Sequence, residues 1–75
     1  MQTVEPYSIR CLRAVEDLVG GRERLCQELN LSSGAVSRWI KERQIARGAI
    51  LDLVRLSGGK FTAEEFLGKN DANTN

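Results

Sequence analysis

The stretch RERLCQELNLSSGAVSRWIK, residues 22–41, decides the fold, because it reads as two short helices joined by a tight turn. In its first half Leu25, Cys26 and Leu29 recur at intervals that put side chains on one helix face, which predicts a helix over about 22–29. Asn30-Leu31 follows, and asparagine tolerates the left-handed backbone that a tight turn after a helix needs. Ser32 or Ser33 can then accept a hydrogen bond from the first N–H groups of a second helix, which continues to about Glu42.

That second helix divides into two faces. At about 100° per residue, Ala35, Val36, Trp39 and Ile40 fall on one arc, whereas Ser33, Gly34, Ser37, Arg38 and Lys41 fall on the other. The first arc is a core stripe and holds Trp39, which could stack on a base only by pointing outward. The second combines small side chains with two long cations. Such a surface suits the major groove of DNA, about 12 Å wide, which admits a helix whose outward residues are not bulky. Ser33 and Ser37 could reach bases or phosphates, Arg38 could pair bidentately with guanine, and Lys41 and Arg43 could reach phosphates. The same residues also suit a solvated helix face, with the serines as caps or surface groups.

Working outward, the remaining apolar spacing is helical and no stretch alternates long enough for a convincing strand, so the fold class is all-α with about five short helices. Ile9, Leu12, Val15 and Val19 mark a first helix, widened by Cys11 and Leu18, with Arg10, Arg13, Glu16 and Asp17 opposite. Pro6 suits its first turn and Gly20-Gly21 its end. RQIAR, residues 43–47, reads as a connection. A fourth helix is expected over about Ala46–Ser57, burying Ile50, Leu53 and Val54 and leaving Leu51 or Leu56 for a subunit contact. Gly58-Gly59 stops it. Thr62 with Glu65 spells a capping box, and Phe61 with Phe66 a hydrophobic staple, at the head of a last short helix ending near Gly68. The tail KNDANTN lacks apolar residues, which predicts disorder over 69–75.

Composition narrows the chemistry. The chain has 75 residues, no histidine and two cysteines, which suits one small domain of modest stability that a partner subunit would support. Cys11 and Cys26 have no CxxC spacing and no acidic ligands beside them, so no metal site is expected and the two read as small buried hydrophobes. A disulfide between them remains open in principle. No pair of nucleophile and base is visible, so no enzyme, cofactor or small-molecule ligand is expected. The start MQTVEPYSIR has no apolar signal region and no run could cross a bilayer, which predicts a cytoplasmic setting without a membrane partner. Residues 22–60 carry eight Lys/Arg against four Asp/Glu, a balance of +4, and the flanks total −3. A basic centre with acidic ends suits a polyanion, and equally a merely solvated surface.

Two short helices joined by a turn of three or four residues form a helix-turn-helix arrangement. Residues 22–41 resemble the helix-turn-helix of the phage Cro and repressor type, with Leu25, Leu29, Leu31, Val36 and Trp39 on its buried apolar positions. The ending LVRLSGGKFTAEEFLG is similar to the small Cro-like and YdaS-like antitoxin regulators, and the likeness spans roughly residues 8–68. Cys26 stands where the family usually has alanine, Asn30 where it usually has glycine, and Ala46 where proline is frequent. The resemblance implies a lambda-repressor-like domain over 8–68 behind an N-terminal arm, 1–7. It implies DNA-facing positions at Ser32, Ser33, Gly34, Ser37, Arg38 and Lys41, with Arg22 and Gln27 on the preceding helix. It further implies a homodimeric transcription regulator on a palindromic double-stranded operator. A protein-interaction module, such as an antitoxin or a phage adaptor, is the alternative that the modest net charge leaves open.

Overall fold

The first helix forms because Ile9, Leu12 and Val15 line one side of a helical repeat, and all three are fully buried in the computed structural model, which describes residues 5–32 and 34–68. This α1 spans Tyr7–Val19, one residue into the expected arm, with Pro6 as its N-cap. Proline was expected inside the first turn. It stands one place earlier, in extended backbone, where its carbonyl accepts the first helical bonds from the N–H groups of Ile9 and Arg10 at 3.0 and 3.1 Å.

Four further elements follow: α2, Arg22–Leu29; α3, Gly34–Glu42; α4, Ile50–Leu56; and α5, Ala63–Leu67. The described residues contain no strand, and the domain is all-α. The fourth helix differs from its expected span. Ala46 is extended, Arg47–Ala49 form a 3₁₀ turn closed by the Ala49 N–H on the Ala46 carbonyl at 3.0 Å, and the α-helix starts only at Ile50. Gly48 within that turn favours the break, since glycine is the weakest helix former after proline.

The first three helices end in the same way. At Gly20, Asn30 and Arg43 the chain takes positive φ, of 107°, 61° and 58°, and the next N–H reaches back to a carbonyl five residues earlier. These closing bonds run from Gly21 to Glu16, from Leu31 to Cys26 and from Gln44 to Trp39, at 2.9, 2.9 and 3.1 Å. This is the Schellman ending, which satisfies carbonyls that a helix otherwise leaves unpaired. Asparagine visits the left-handed region at little cost and arginine does not.

The core gathers α1, α2, α4 and α5 around Leu12, Leu25, Leu53 and Phe66, with Val36 and Trp39 of α3 joining it. Cys11 and Cys26 are buried within it as thiols, as expected of small hydrophobes. Two apolar expectations fail. Leu18 and Leu31 are exposed, the first on the flank of the α1 stripe and the second as the residue that closes the α2 ending, where its backbone rather than its side chain is used. Val54 is only half-buried.

Two local devices fasten the ends of the domain. Thr62 Oγ1 accepts from the Glu65 N–H at 3.3 Å while Glu65 Oε1 accepts from the Thr62 N–H at 2.7 Å, completing the expected capping box. The Phe61 and Phe66 rings meet edge to face at 5.9 Å, which agrees with the staple. Glu65 also receives the Tyr7 hydroxyl at 2.8 Å, so α5 is tied to the first turn of α1. That bond pushes the Tyr7 phenol up to about 12. The Glu65 carboxyl is held below its ordinary value, first by the Thr62 N–H and then by Tyr7. The expected tail, 69–75, most of the expected arm, 1–4, and Ser33 lie outside the described residues.

Candidate nucleic-acid interface

The position of α3 follows from α2 and the turn between them. Leu25, Cys26 and Leu29 anchor α2 in the core, Asn30 turns the chain, and α3 then crosses with Val36 and Trp39 buried and Ala35 and Ile40 half-buried. The opposite arc is exposed as the wheel predicts: Gly34, Ser37, Arg38 and Lys41 all face outward. They line one shallow depression together with Glu42, an acid that the sequence reading left unassigned. Ser32 and Gln27 are exposed. Ser33, the alternative cap to Ser32, lies outside the described residues.

Gly34 has no structural reason to be glycine. A Cβ placed there would meet no atom within 4 Å, and its φ is not among the positive values of the chain. Glycine in a helix costs roughly 1 kcal/mol relative to alanine. Its smallness therefore serves nothing inside the domain and suits a close approach from outside.

Arg22, expected at a DNA-facing position, is also engaged within the domain. Its Nε donates to Glu16 Oε2 at 2.6 Å and its Nη1 to Ser37 Oγ at 3.0 Å. One guanidinium thus joins the last turn of α1 to the start of α2 and the outward arc of α3. The Glu16 side chain is only 13% exposed and that of Arg22 38%, so the pair is partly shielded from water. Ser37 accepts this bond and keeps its own hydroxyl hydrogen for a further acceptor. Arg22 keeps guanidinium N–H groups beyond the two used, so it can position Ser37 and still reach an anion. No local pattern signals this contact, because its partners lie 6 and 15 positions from Arg22.

Past α3, Arg43 and Arg47 are exposed on the loop leading to α4. Arg47, which the sequence reading passed over, lines the depression beside Arg38, Glu42 and Gln44. The outward arc of α3 and this loop bring Arg38, Lys41, Arg43 and Arg47 into succession, with Glu42 as the only acid in residues 38–47. The described residues hold no cluster of three or more potential metal-ligating side chains, and none of their helices is long and apolar enough to cross a membrane.

Comparison of the chain with protein-family models, curated proteins and solved structures gives no match.

Proposed function

We propose that the chain is a sequence-specific double-stranded DNA-binding protein that regulates transcription, in the manner of a Cro-like phage or prophage repressor occupying a palindromic operator. The observation that carries this reading is the outward arc of α3, where an unconstrained glycine, an oriented serine and two exposed cations share one side of an anchored helix. Gly34 lets the backbone approach base edges. The Ser37 hydroxyl, with Arg22 already donating to it, serves as a donor to a base acceptor. Arg38 reads guanine through two parallel bonds, and Lys41, Arg43 and the remaining N–H groups of Arg22 hold phosphates. A two-fold dimer spans two half-sites about one helical turn apart, since one recognition helix buries too little surface for tight binding.

Selection of bound sites from random duplex DNA, followed by titration of variants on the selected site, tests this. Arg38→Ala weakens binding by about 1–3 kcal/mol and relaxes the preference at one base pair. Lys41→Ala weakens all sequences alike and makes the salt slope shallower by about one. Gly34→Leu blocks groove entry while the fold survives, because space outside the helix is open. Failure to enrich any sequence, or an Arg38→Ala variant that binds like the parent, removes the reading.

A second reading has its own observation. Leu51 is 72% and Leu67 41% exposed, and with Ile50, Ala63 and Arg47 they line one largely apolar groove. A protein-interaction module, such as an antitoxin or adaptor, would use such a surface. Recovery of a stoichiometric protein partner by a chain that ignores DNA at low salt would favour it.

A further inference from the structure

A cavity of about 310 Å³ opens where α1 begins, between the 43–47 loop and the end of α5. It shares Gln44, Ile45 and Arg47 with the depression beside Arg38, but it faces α1 and α5 rather than the outward arc of α3. Its volume lies at the lower end of the roughly 300–1,000 Å³ typical of small-ligand pockets. Two arginines, Arg43 and Arg47, line it, and no carboxylate does among the described residues. The nearby Glu5 is engaged by Arg13 through Nε at 2.9 Å and Nη2 at 2.7 Å, and only weakly by the charge of Arg43.

Ser8 is the residue that asks for a ligand. It lines the cavity and is only 5% exposed, yet its hydroxyl makes no hydrogen bond among the described residues. No side-chain polar atom that is fully shielded from outside lacks a partner among those residues, so Ser8 Oγ keeps an opening, and the cavity is the space in front of it. A Cβ at Gly68, on the facing wall, would stand 4.0 Å from Ser8 Oγ. A hydroxyl whose opening is onto a cavity takes its partner from whatever fills that cavity. Beside this one, α1 starts at Pro6 without a side-chain cap, and its internal bonds begin only at the Ile9 N–H. The N–H groups of Tyr7 and Ser8 are therefore directed out of the positive end of a helix of 13 residues, an arrangement that favours anions.

We infer that this cavity binds a tetrahedral oxyanion of the phosphate class, held by the Ser8 hydroxyl and the first N–H groups of α1 and neutralised by Arg43 and Arg47. The site does not depend on the DNA reading. Inorganic phosphate, a small phosphomonoester and a nucleic-acid diester all present the same oxygens, and the size of the cavity leaves room for a small substituent. Arg47 lines both this cavity and the depression beside Arg38, so a bound anion would also lower the positive charge that a polyanion meets there.

Amide NMR of the full chain tests the site. Inorganic phosphate is titrated against sodium chloride at matched ionic strength, and a short duplex is titrated separately in buffer without phosphate. Saturable shifts at the Tyr7, Ser8 and Gly68 amides with phosphate but not chloride support a site for free phosphate. The same shifts with the duplex alone support a site for a backbone diester. Ser8→Ala and Arg47→Ala each weaken the saturable binding about tenfold, the loss expected for one charge-assisted hydrogen bond. If Ser8→Ala does not fold, Arg47→Ala gives the reading. Shifts that grow linearly, equal those in chloride, or persist with unchanged affinity in the variants overturn the inference. Loss of DNA binding by the parent chain would remove the proposed function and leave the phosphate arm intact.

Discussion

Replacing Arg43 by glycine should make the domain more stable and, if the proposed function holds, weaken its grip on DNA at once. Arg43 ends α3 at φ 58°, with its N–H on the Ile40 carbonyl at 3.3 Å and the Gln44 N–H on the Trp39 carbonyl at 3.1 Å. An L-residue in this region costs roughly 1–2 kcal/mol, and a glycine that removes the strain returns about 0.5–1 of it through its freer unfolded chain. The net gain is about 0.5–1 kcal/mol, or roughly 2–8 °C in Tm for a domain of this size. Binding moves the other way. Under the proposed function, loss of one phosphate-contacting cation should flatten the salt slope by about 0.9. Arg43→Ala serves as the control, because it discards the charge and keeps the left-handed backbone: its binding falls equally and its Tm does not rise. Thermal unfolding followed by circular dichroism, paired with duplex titrations at several salt concentrations, separates the two effects. A glycine variant that melts below the parent, or an alanine variant that gains as much as glycine, refutes the strain argument.

Other perturbations probe other contacts. Arg22→Ala should cost about 1–2 kcal/mol, between the values for surface and buried pairs, because Glu16 loses its partner while only 13% exposed; a double-mutant cycle with Glu16→Ala reads the coupling, and a value near zero denies the clamp. Glu65 has a carboxyl held below its ordinary value of 4.5, so its stabilisation is complete above that value and fades as pH falls through the lowered native one. The drop in Tm between about pH 6 and about pH 3 should accordingly shrink in Glu65→Gln. Tyr7 works in the opposite sense, since its phenol is raised from 10 to about 12: its contribution holds below 10 and is lost as pH climbs through about 12, and Tyr7→Phe should erase that alkaline loss. Leu51→Lys should leave the unfolding of the isolated domain nearly unchanged, because Leu51 is 72% exposed. It should abolish any dimer built on that groove, which sedimentation measures directly.

What sequence could reveal here was whatever is encoded over a few neighbouring positions. The limits of α2 and α3 followed from apolar spacing and from Asn30, and the start of α5 from the Thr62–Glu65 pair, since each signal lies within one helical turn of the boundary it marks. The outward arc of α3 was legible for the same reason. Periodicity gives the direction of a stripe but not the width of the neighbour that covers it, which is why Leu18 was expected inside and stands outside; Leu31 was expected inside through the family resemblance alone, and it too is exposed. The link from Glu16 through Arg22 to Ser37 joins three helices, and the Ser8 cavity is walled by the 43–47 loop and residues 66–68. Neither leaves a local trace. The 3₁₀ start before α4 turned on Gly48 and an extended Ala46, and the helical pattern from Ile50 onward masked them.

The indifference of the core to what stands at Gly34, Arg38 and Lys41 means that these positions can be rewritten together. A combinatorial library confined to them would vary the outer surface of α3 without touching Val36 or Trp39, so most members should fold. Such a scaffold could be retargeted by selection rather than redesigned.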